Sequence, residues 1–412
     1  MLALLLSATL LAADPAAQIP QPPPPSFAQA EQMATEGRDA DALLAFQRIA
    51  SVNPNDHEAR LWIARLHERM GHPDRAEAVY RSVLLENPAN IDAMIGVGVT
   101  MLARHEAAGA IDVLERAEEM QPQRDVILTA LGEAHREAGD TERAIVYLER
   151  AVEIAPTEQH RLQLESAQRS YLHRVELRGA TEDFSGNTRR TSNAAVLVNV
   201  RLSDRLRAFG RGDVQRKFGI SDQRGGGGLE WQWKPGTILF GHALVGPDNR
   251  VMTEGDYMGA INHTYERASW TAWYRYFDFT GAKVVAVAPN VDWQYSPRIG
   301  IGLGYAMSFT ASNVVAGTTL GHSGYVRGAY RLYPRISVTA GWAGGVSDFD
   351  LFSIDEIGRF NAHAASGGVR WDLPTLTSVI ANYEYQWRTR DVQRQRVTVS
   401  LGQRFRTLPF RP

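Results

Sequence analysis

The 412-residue chain contains no cysteine and has only three lysines, Lys217, Lys234 and Lys283. Without cysteine there can be no disulfide bridge, thiolate metal site, catalytic thiol or lipid-modified cysteine anchor. Beyond the amino terminus no apolar run approaches the roughly 20 residues of a membrane-spanning helix. The 44 basic and 46 acidic residues nearly balance, which argues against a strongly basic nucleic-acid-binding protein.

The amino terminus is apolar and then rich in proline. Residues 1–13 form an apolar run of signal-peptide length with small residues near Ala13 for cleavage, although a positively charged start is missing. An apolar amino-terminal helix is the alternative. Residues 14–27 include four consecutive prolines and predict an extended linker. We therefore expect an exported protein.

Charge divides the chain into two parts. Residues 1–170 carry 15 basic and 26 acidic side chains, whereas residues 171–412 carry 29 and 20. The second part also holds most of the aromatic residues and is dense in glycine. This contrast predicts two domains of different fold class.

The first part repeats with a period of 34 residues. The repeated positions are prolines (Pro54, Pro88, Pro122, Pro156), alanines (Ala42, Ala76, Ala110, Ala144) and glycines (Gly37, Gly71, Gly139), with His105 in the third glycine slot. The glycine is expected to end a first helix, the alanine to allow a second helix to approach closely, and the proline to stop that second helix.

This pattern resembles the tetratricopeptide repeat family, with four repeats over residues 28–158 and a capping helix over residues 159–170. The resemblance implies a helical solenoid whose concave groove binds a partner protein; a rigid spacer without a ligand is the alternative. The expected groove residues are Leu61, Arg65, Glu68, Val99, Leu102, Thr129, Glu133 and Arg136.

After residue 170 the period of the apolar pattern changes from 3.6 to 2. Val397, Val399 and Leu401, for example, alternate with small or polar residues. One face of each strand is apolar and the other is small, polar or charged. This favours a transmembrane antiparallel β-barrel over residues 171–406, with about 14 strands (range 12–16), followed by a tail at residues 407–412.

Connections between the expected strands alternate in length. Every second one is tight, as at Pro235-Gly236 and Tyr333-Pro334, and those between are longer, as at residues 218–225 and 347–360. Short turns on one side and longer loops on the other are typical of outer-membrane barrels. The expected interfacial aromatic residues near strand ends are Trp231, Trp233, Tyr257, Tyr265, Trp270, Trp293, Tyr295, Trp342, Trp371 and Trp387.

The order of signal peptide, repeats and carboxy-terminal barrel resembles the YaiO-like outer-membrane barrel proteins, and it is similar to that of the larger polysaccharide-export porins. The aromatic end of the last strand at Phe405 is similar to the signal read by the barrel-assembly machinery. The resemblance implies the outer membrane of a Gram-negative bacterium, with the repeats in the periplasm. It also implies membrane lipid, the assembly machinery, a periplasmic protein and a surface polysaccharide as partners, and no nucleic acid.

Charged side chains on the expected inner face are the candidate pore-lining residues. They are Arg174, Glu176, Arg178, Arg205, Arg207, Arg211, Asp213, Arg327, Arg331, Glu384, Arg388, Arg394, Arg396 and Arg404. A net basic lumen would favour anions or acidic glycans through its electric field. Bracing of the barrel wall by ion pairs is the alternative.

No catalytic, metal or cofactor site is expected. The histidines of the second part are scattered over different strands without the spacing of a catalytic triad. Asp348, Asp350, Asp355 and Glu356 match no calcium-loop pattern, so we expect a solvated external loop there.

Two functions remain open from the sequence. The first is passage or export of a surface polysaccharide or anionic solute, with the repeats docking periplasmic partners. The second is a receptor or scaffold whose barrel is a plugged anchor. An open basic bore would favour the first function, and a lumen filled by loops and paired side chains would favour the second.

Overall fold

The computed structural model of the protein describes residues 25–186, 190–234, 236–313, 317–346, 349–357, 361–389 and 392–406. The expected signal peptide, the carboxy-terminal tail and Asp348 lie outside these residues. The chain divides into two compact units, of which the first ends at Ala138 and the second begins at Gly139.

The described part of the first unit contains seven helices. They are α1 (Phe27–Thr35), α2 (Asp39–Val52), α3 (His57–Arg69), α4 (Pro73–Glu86), α5 (Ile91–Ala103), α6 (Ala107–Met120) and α7 (Asp125–Glu137). Consecutive helices pack against one another through buried alanine, leucine and aromatic side chains. In the described part of the chain, no helix has the length and apolar character needed to cross a membrane.

The repeated residues act as the sequence predicts. Gly37, Gly71 and Gly139 follow their helices with φ between 77° and 85°, a left-handed conformation that glycine adopts without strain. His105 holds the same position with a φ of 62°. The four repeated alanines are fully buried. Three of the repeated prolines follow the ends of α2, α4 and α6.

Two further helices belong to the second unit. They are α8 (Thr141–Ile154) and α9 (Glu158–Tyr171), and they pack through Ile145, Leu148 and Ala167. The side chain of Thr157 caps α9 by accepting a hydrogen bond from the N–H of His160.

Fourteen strands follow in the described part of the chain. They are β1 (His173–Phe184), β2 (Thr191–Arg201), β3 (Leu206–Lys217), β4 (Ile220–Lys234), β5 (Thr237–Val245), β6 (Gly255–Tyr265), β7 (Ala268–Phe279), β8 (Ala282–Ser296), β9 (Ile299–Ser312), β10 (Thr318–Tyr333), β11 (Ile336–Gly344), β12 (Ala362–Asp372), β13 (Thr377–Arg388) and β14 (Gln393–Phe405). Each strand pairs antiparallel with the next, and β1 pairs with β14, so the sheet is a closed barrel. The expected fold class and the count of about 14 strands are confirmed.

Side chains alternate between the two faces of the barrel wall. Along β14, Val397, Val399 and Leu401 are exposed, whereas Arg394 and Arg396 are buried. All ten of the aromatic residues expected near strand ends are exposed. The barrel is therefore apolar outside and polar inside, which is the reverse of a soluble protein.

We call the end of the barrel where β1 begins and β14 finishes the proximal end, and the opposite end the distal end. The connections at the proximal end are short, as the sequence predicts. At the distal end two connections are also tight, because β4 already begins at Ile220 and β8 begins at Ala282. The prediction of a longer loop over residues 218–225 is therefore wrong, since most of these residues lie within β4.

Helix α9 is fixed to the proximal end of the barrel. The guanidinium of Arg335, in the turn between β10 and β11, lies 2.7 Å from carboxylate oxygens of both Glu158 and Glu165. Arg169 of α9 donates to Asp372 at 3.1 Å. These ion pairs join the capping helix to the turn between β10 and β11 and to the end of β12.

Candidate functional site

A segment of the longest distal connection lies inside the barrel. We call residues 349–357, which form two short 3-10 turns between β11 and β12, the lumen segment. Its side chains and backbone contact residues of β1, β3, β4, β7, β13 and β14. Because β7 lies opposite β14 in a closed sheet of fourteen strands, the segment spans the lumen.

Asp350 is the first anchor of the lumen segment. Its carboxylate lies 3.1 Å from Arg275 and 3.8 Å and 3.9 Å from Arg211 and Arg178. Its backbone carbonyl also accepts a hydrogen bond from Arg224 at 3.0 Å. One residue of the connection is thus held by guanidinium groups from four strands of the wall.

Lys217 is the centre of a second anchor. Its ammonium group is buried and lies 2.8 Å from the carboxylate of Asp355, 2.8 Å from the hydroxyl of Ser353 and 3.2 Å from Glu182. The wall residue Lys217 therefore donates to two side chains of the lumen segment. A buried ammonium group requires such partners, because an unpaired charge inside a protein costs several kcal/mol.

Glu356 is the third anchor and lies next to the second, because Arg388 pairs with both Asp355 and Glu356. Its carboxylate lies 2.7 Å from Arg394 and 3.2 Å from Arg388. Arg388 also pairs with Asp355 at 2.7 Å. These contacts attach the segment to β13 and β14.

An aromatic cluster complements the ion pairs. The ring of Phe352 lies 4.9 Å from that of Phe277, and the ring of Phe349 lies 5.2 Å from that of Trp273, measured between centroids. The cluster also buries Val284 and Ala286 of β8. The lumen segment is consequently packed against the wall by apolar burial as well as by charge.

The acidic residues of this connection were expected to be solvated outside the barrel, and that expectation is wrong for those that are described. Asp350, Asp355 and Glu356 each pair with basic residues of the wall. The reason is electrostatic, since a lumen rich in arginine attracts an acidic loop. Among the described residues, no group of three or more histidine, aspartate or glutamate side chains is placed to hold a metal ion.

The structure brings many of the candidate pore-lining residues into ion pairs. Arg174 and Arg178 pair with Glu176, Arg211 with Asp213, Arg394 with Glu384, Arg396 with Glu182, and Arg327 with Asp292. Arg207 and Arg404 instead donate to backbone carbonyls of α9, those of Ser170 and Arg169. Arg331 lines a cavity at the proximal end.

Arg205 does not line the lumen. It precedes β3 and is exposed in the turn that follows β2. Arg205 has the same alternation as Arg207 and Arg211, so the sequence pattern alone does not show that β3 begins only at Leu206.

Several lumen residues were missed from the sequence. The clearest is Asp256, whose carboxylate lies 2.7 Å from Arg275, 2.9 Å from Arg224 and 3.2 Å from His242. Arg224 fell in the expected loop over residues 218–225. The alternation of charged residues at Asp222 and Arg224 could have indicated that β4 begins before residue 226. The run of glycines that follows obscured this pattern.

The expected groove residues are spread over α3, α5 and α7. Val99 is partly exposed, Arg136 pairs with Glu133, and the hydroxyl of Thr129 donates to a carbonyl of its own helix. Arg65 lies over the ring of Trp62, and Leu102 is half-buried.

Leu61 is a correction, because only 6% of it is exposed. It lies on the face of α3 that packs against Tyr80 and Val83 of α4, so it belongs to the core.

Glu68 is partly buried and contacts Tyr80. One carboxylate oxygen accepts a hydrogen bond from the Tyr80 hydroxyl at 3.2 Å, and the other is buried without a hydrogen-bond partner in the described part of the chain. Burial raises the pKa of the Glu68 carboxyl, and burial also raises the pKa of the Tyr80 phenol. The groove thus contains a partly desolvated acidic group.

Residues 33–95 and 101–166 match the tetratricopeptide repeat family. The general transcriptional corepressor ssn6 of Schizosaccharomyces pombe is 29% identical over 149 residues, which are 33% of this chain and 14% of the corepressor. The chain therefore spans about a seventh of the length of that relative.

Solved structures are similar to about a third of the chain. A tetratricopeptide repeat protein of Thermus thermophilus is 22% identical, with a TM-score of 0.33, and covers 35% of this chain and 79% of its own. MamA of Desulfovibrio magneticus RS-1 is 22% identical, with a TM-score of 0.32, over 34% of this chain and 80% of its own. PilF of Pseudomonas aeruginosa is 16% identical, with a TM-score of 0.33, over 35% and 66%.

Proposed function

We propose that this protein is an outer-membrane β-barrel with a closed lumen, and that it anchors tetratricopeptide repeats that bind a partner protein in the periplasm. The observation that carries the proposal is the lumen segment, which is held by ion pairs to β3, β7 and β14. A lumen filled in this way favours an anchor or receptor over an open pore.

The outer surface of the barrel supports a membrane location. Exposed valine, leucine and aromatic side chains cover the wall, with tryptophans such as Trp231 and Trp371 near the strand ends. An apolar surface of this extent would be unfavourable in water and is matched by lipid. The resemblance to YaiO-like proteins and the aromatic end of β14 add the barrel-assembly machinery as an expected partner.

The groove supports binding rather than catalysis. It combines a partly exposed apolar side chain, Val99, with the charged residues Arg65, Glu68 and Glu133. Side chains of these types suit a peptide or helix of a partner protein. With the barrel in the outer membrane and the proximal end inward, the repeats lie in the periplasm.

Passage of an anionic solute or a surface polysaccharide is the second candidate function. The observation that favours it is the number of arginines in the lumen on the proximal side of the lumen segment, among them Arg174, Arg327 and Arg331. A basic lining favours anions. Transport would require the lumen segment to leave its ion pairs.

Single-channel conductance in a planar bilayer separates the two functions. The unaltered protein is compared with a variant in which residues 349–357 are replaced by a glycine–serine linker of equal length. We expect a silent unaltered protein and a conducting variant, because the linker lacks both the carboxylates and the phenylalanines that hold the segment. Heat-dependent gel mobility checks that both barrels are folded.

Steady conductance from the unaltered protein would contradict the closed anchor and favour passage. Silence from both folded proteins would show that the lumen segment is not what closes the barrel. Partner binding is tested separately with Val99→Glu, which should abolish co-purification of a cross-linked periplasmic partner. The matched control is Val52→Glu, which changes an exposed valine at the end of α2.

A further inference from the structure

A row of polar residues crosses the proximal end of the barrel, from the turn before β9 to β10, β11 and β12. The backbone N–H of Arg331 donates to the carbonyl of Arg298 at 2.8 Å, Arg331 pairs with Ser337, and Ser337 pairs with Arg370. All four residues line one cavity of about 330 Å³. Backbone pairing therefore places three arginines and one serine next to one another along the wall of this cavity.

The charges in this row are not balanced. Arg370 lies 3.0 Å from Asp372, and Arg335, which also lines the cavity, pairs with Glu165. For Arg298 and Arg331, no carboxylate of the described residues lies within ion-pair distance. Arg298 and Arg331 are both exposed and lie opposite each other where the turn before β9 meets β10. Like charges directly opposite each other repel, and a bound anion would relieve that repulsion.

Other arginines near the same end also have unsatisfied donors. Nη1 of Arg404 and Nε of Arg174 are buried and have no hydrogen-bond acceptor among the described residues. Buried donors normally have a partner, and the exceptions call for an explanation. Both observations indicate a proximal end that is short of negative charge.

The cavity continues into a second one that differs in chemistry. The two share Gln294, Gly300 and Ala329 as lining residues. The second cavity has a volume of about 430 Å³ and contains the Asp292–Arg327 pair. Its carboxylate, amide and hydroxyl groups suit the hydroxyls of a sugar, whereas the arginine row suits an oxyanion.

We propose that the proximal cavity binds the phosphate group of a small phosphorylated sugar, with Arg298 and Arg331 as its principal ligands. Guanidinium groups bind phosphate through paired N–H donors, and Ser337 adds a hydroxyl. The volume lies at the lower end of the range of small-molecule pockets, about 300–1,000 Å³. The sugar extends past Gly300 into the second cavity, where the amide oxygen of Gln294 lies beside Gly300. With this site, the closed barrel would act as a receptor for a small molecule. Binding at the site does not depend on which protein binds the repeats.

Isothermal titration of the full-length protein in detergent tests the site. The probes are glucose 6-phosphate, inorganic phosphate and uncharged glucose. We expect saturable binding of glucose 6-phosphate with a stoichiometry near one, weaker binding of phosphate, and none of glucose. Arg331→Gln and Arg298→Gln should each weaken binding about tenfold or more. Neither substitution leaves a carboxylate unpaired, so both variants should fold.

The matched control is Arg205→Gln, which removes an exposed arginine from another turn at the same end and should leave the affinity unchanged. Equal affinities for phosphate and glucose 6-phosphate would show that the site binds a free oxyanion. That result would overturn the proposal that the ligand is a phosphorylated sugar. Absence of saturable binding by both anions, or an equal loss in the Arg205 variant, would overturn the site itself.

Discussion

The carboxylate of Asp350 lies 3.1 Å from the guanidinium of Arg275, although one belongs to the distal connection after β11 and the other to the middle of the wall on β7. The contact places an apparent surface loop inside the barrel. With Lys217 and Glu356 it makes the lumen segment part of the folded interior.

Lys217 should be protected from amine-reactive reagents. Only 1% of it is exposed, beneath Ser353 and Asp355, whereas Lys234 and Lys283 are exposed. Because the chain has no other lysines, acylation mapped by mass spectrometry reports the position of the lumen segment directly. We expect modification of Lys234 and Lys283 but not of Lys217 in the folded protein.

Replacing residues 349–357 with a linker should make Lys217 reactive while Lys234 and Lys283 stay as they were. These two lysines are the internal control, since they do not contact the segment. Rapid modification of Lys217 in the unaltered, folded protein would contradict a seated segment.

Lowering the pH should weaken the ion pairs between Asp350 and the arginines of the wall. Burial alone would raise the pKa of this carboxyl, but Arg275, Arg211 and Arg178 lower it from 3.8 to about 2. A carboxyl whose pKa is lower in the folded protein adds stability that is present above pH 3.8 and is lost as the pH falls through about 2. Since 44% of the side chain is exposed, we expect a contribution of no more than about 1 kcal/mol.

The measurement is the melting temperature of the unaltered protein and of Asp350→Asn across that pH range. The variant should be the less stable at neutral pH, and the difference should vanish toward pH 2. Taking the difference cancels other carboxyls such as Asp355. A difference that does not change with pH would rule out the ion pairs as its cause.

Gly96 and Gly109 should respond oppositely to alanine. A Cβ at Gly96 would lie 2.4 Å from the buried ring of Tyr80, which cannot move freely because its hydroxyl is bonded to Glu68. A Cβ at Gly109 would meet only the end of the Met101 side chain, its methyl and its sulfur, which can rotate away. We expect Gly96→Ala to lower the free energy of unfolding by about 1–3 kcal/mol.

Gly109→Ala should be neutral or stabilising by up to about 1 kcal/mol, because alanine favours helix. Chemical unfolding followed by far-UV circular dichroism gives both values. If both variants lost the same stability, close helix contact at Gly96 would not be the explanation.

His105→Gly should stabilise the protein. His105 has a φ of 62°, which costs a side-chain-bearing residue roughly 1 kcal/mol and glycine nothing. The lost contact with Glu137, 2.8 Å long and exposed, offsets little of this gain. Gly71→Ala is the converse control, since its φ is 77° and nothing lies near the added Cβ. Thermal unfolding should shift upward in the first variant and downward in the second.

Local patterns predicted most of the fold. The period of glycine, alanine and proline fixed the helix pairs because each of these residues acts on its own turn or its immediate neighbour. Alternation along strands predicted the wall and its two faces for the same reason. Where a local signal was interrupted, as by the glycines of β4, the expected strand was too short and Arg224 was missed.

The lumen segment could not be predicted in this way. Its position depends on pairs such as Lys217 with Asp355 and Asp350 with Arg275, which are far apart in sequence and meet only after the barrel has closed. When the basic residues that pair with it are unknown, an acidic stretch between two strands predicts a solvated loop. The prediction that Leu61 lines the groove was wrong for a related reason. Neighbouring positions on a helix can face either the core or the groove, and the sequence alone does not distinguish them.

The attachment of α9 to the barrel determines where the chain can be cut. Removal of residues 1–170 would strip Arg335 of Glu158 and Glu165 and free Asp372 from Arg169, leaving exposed charges at the proximal end. A cut at Gly139 keeps α8 packed on α9 and keeps α9 bonded to the wall. A barrel fragment meant for refolding or reconstitution should therefore begin with these two helices, which cover the charged residues at the proximal end.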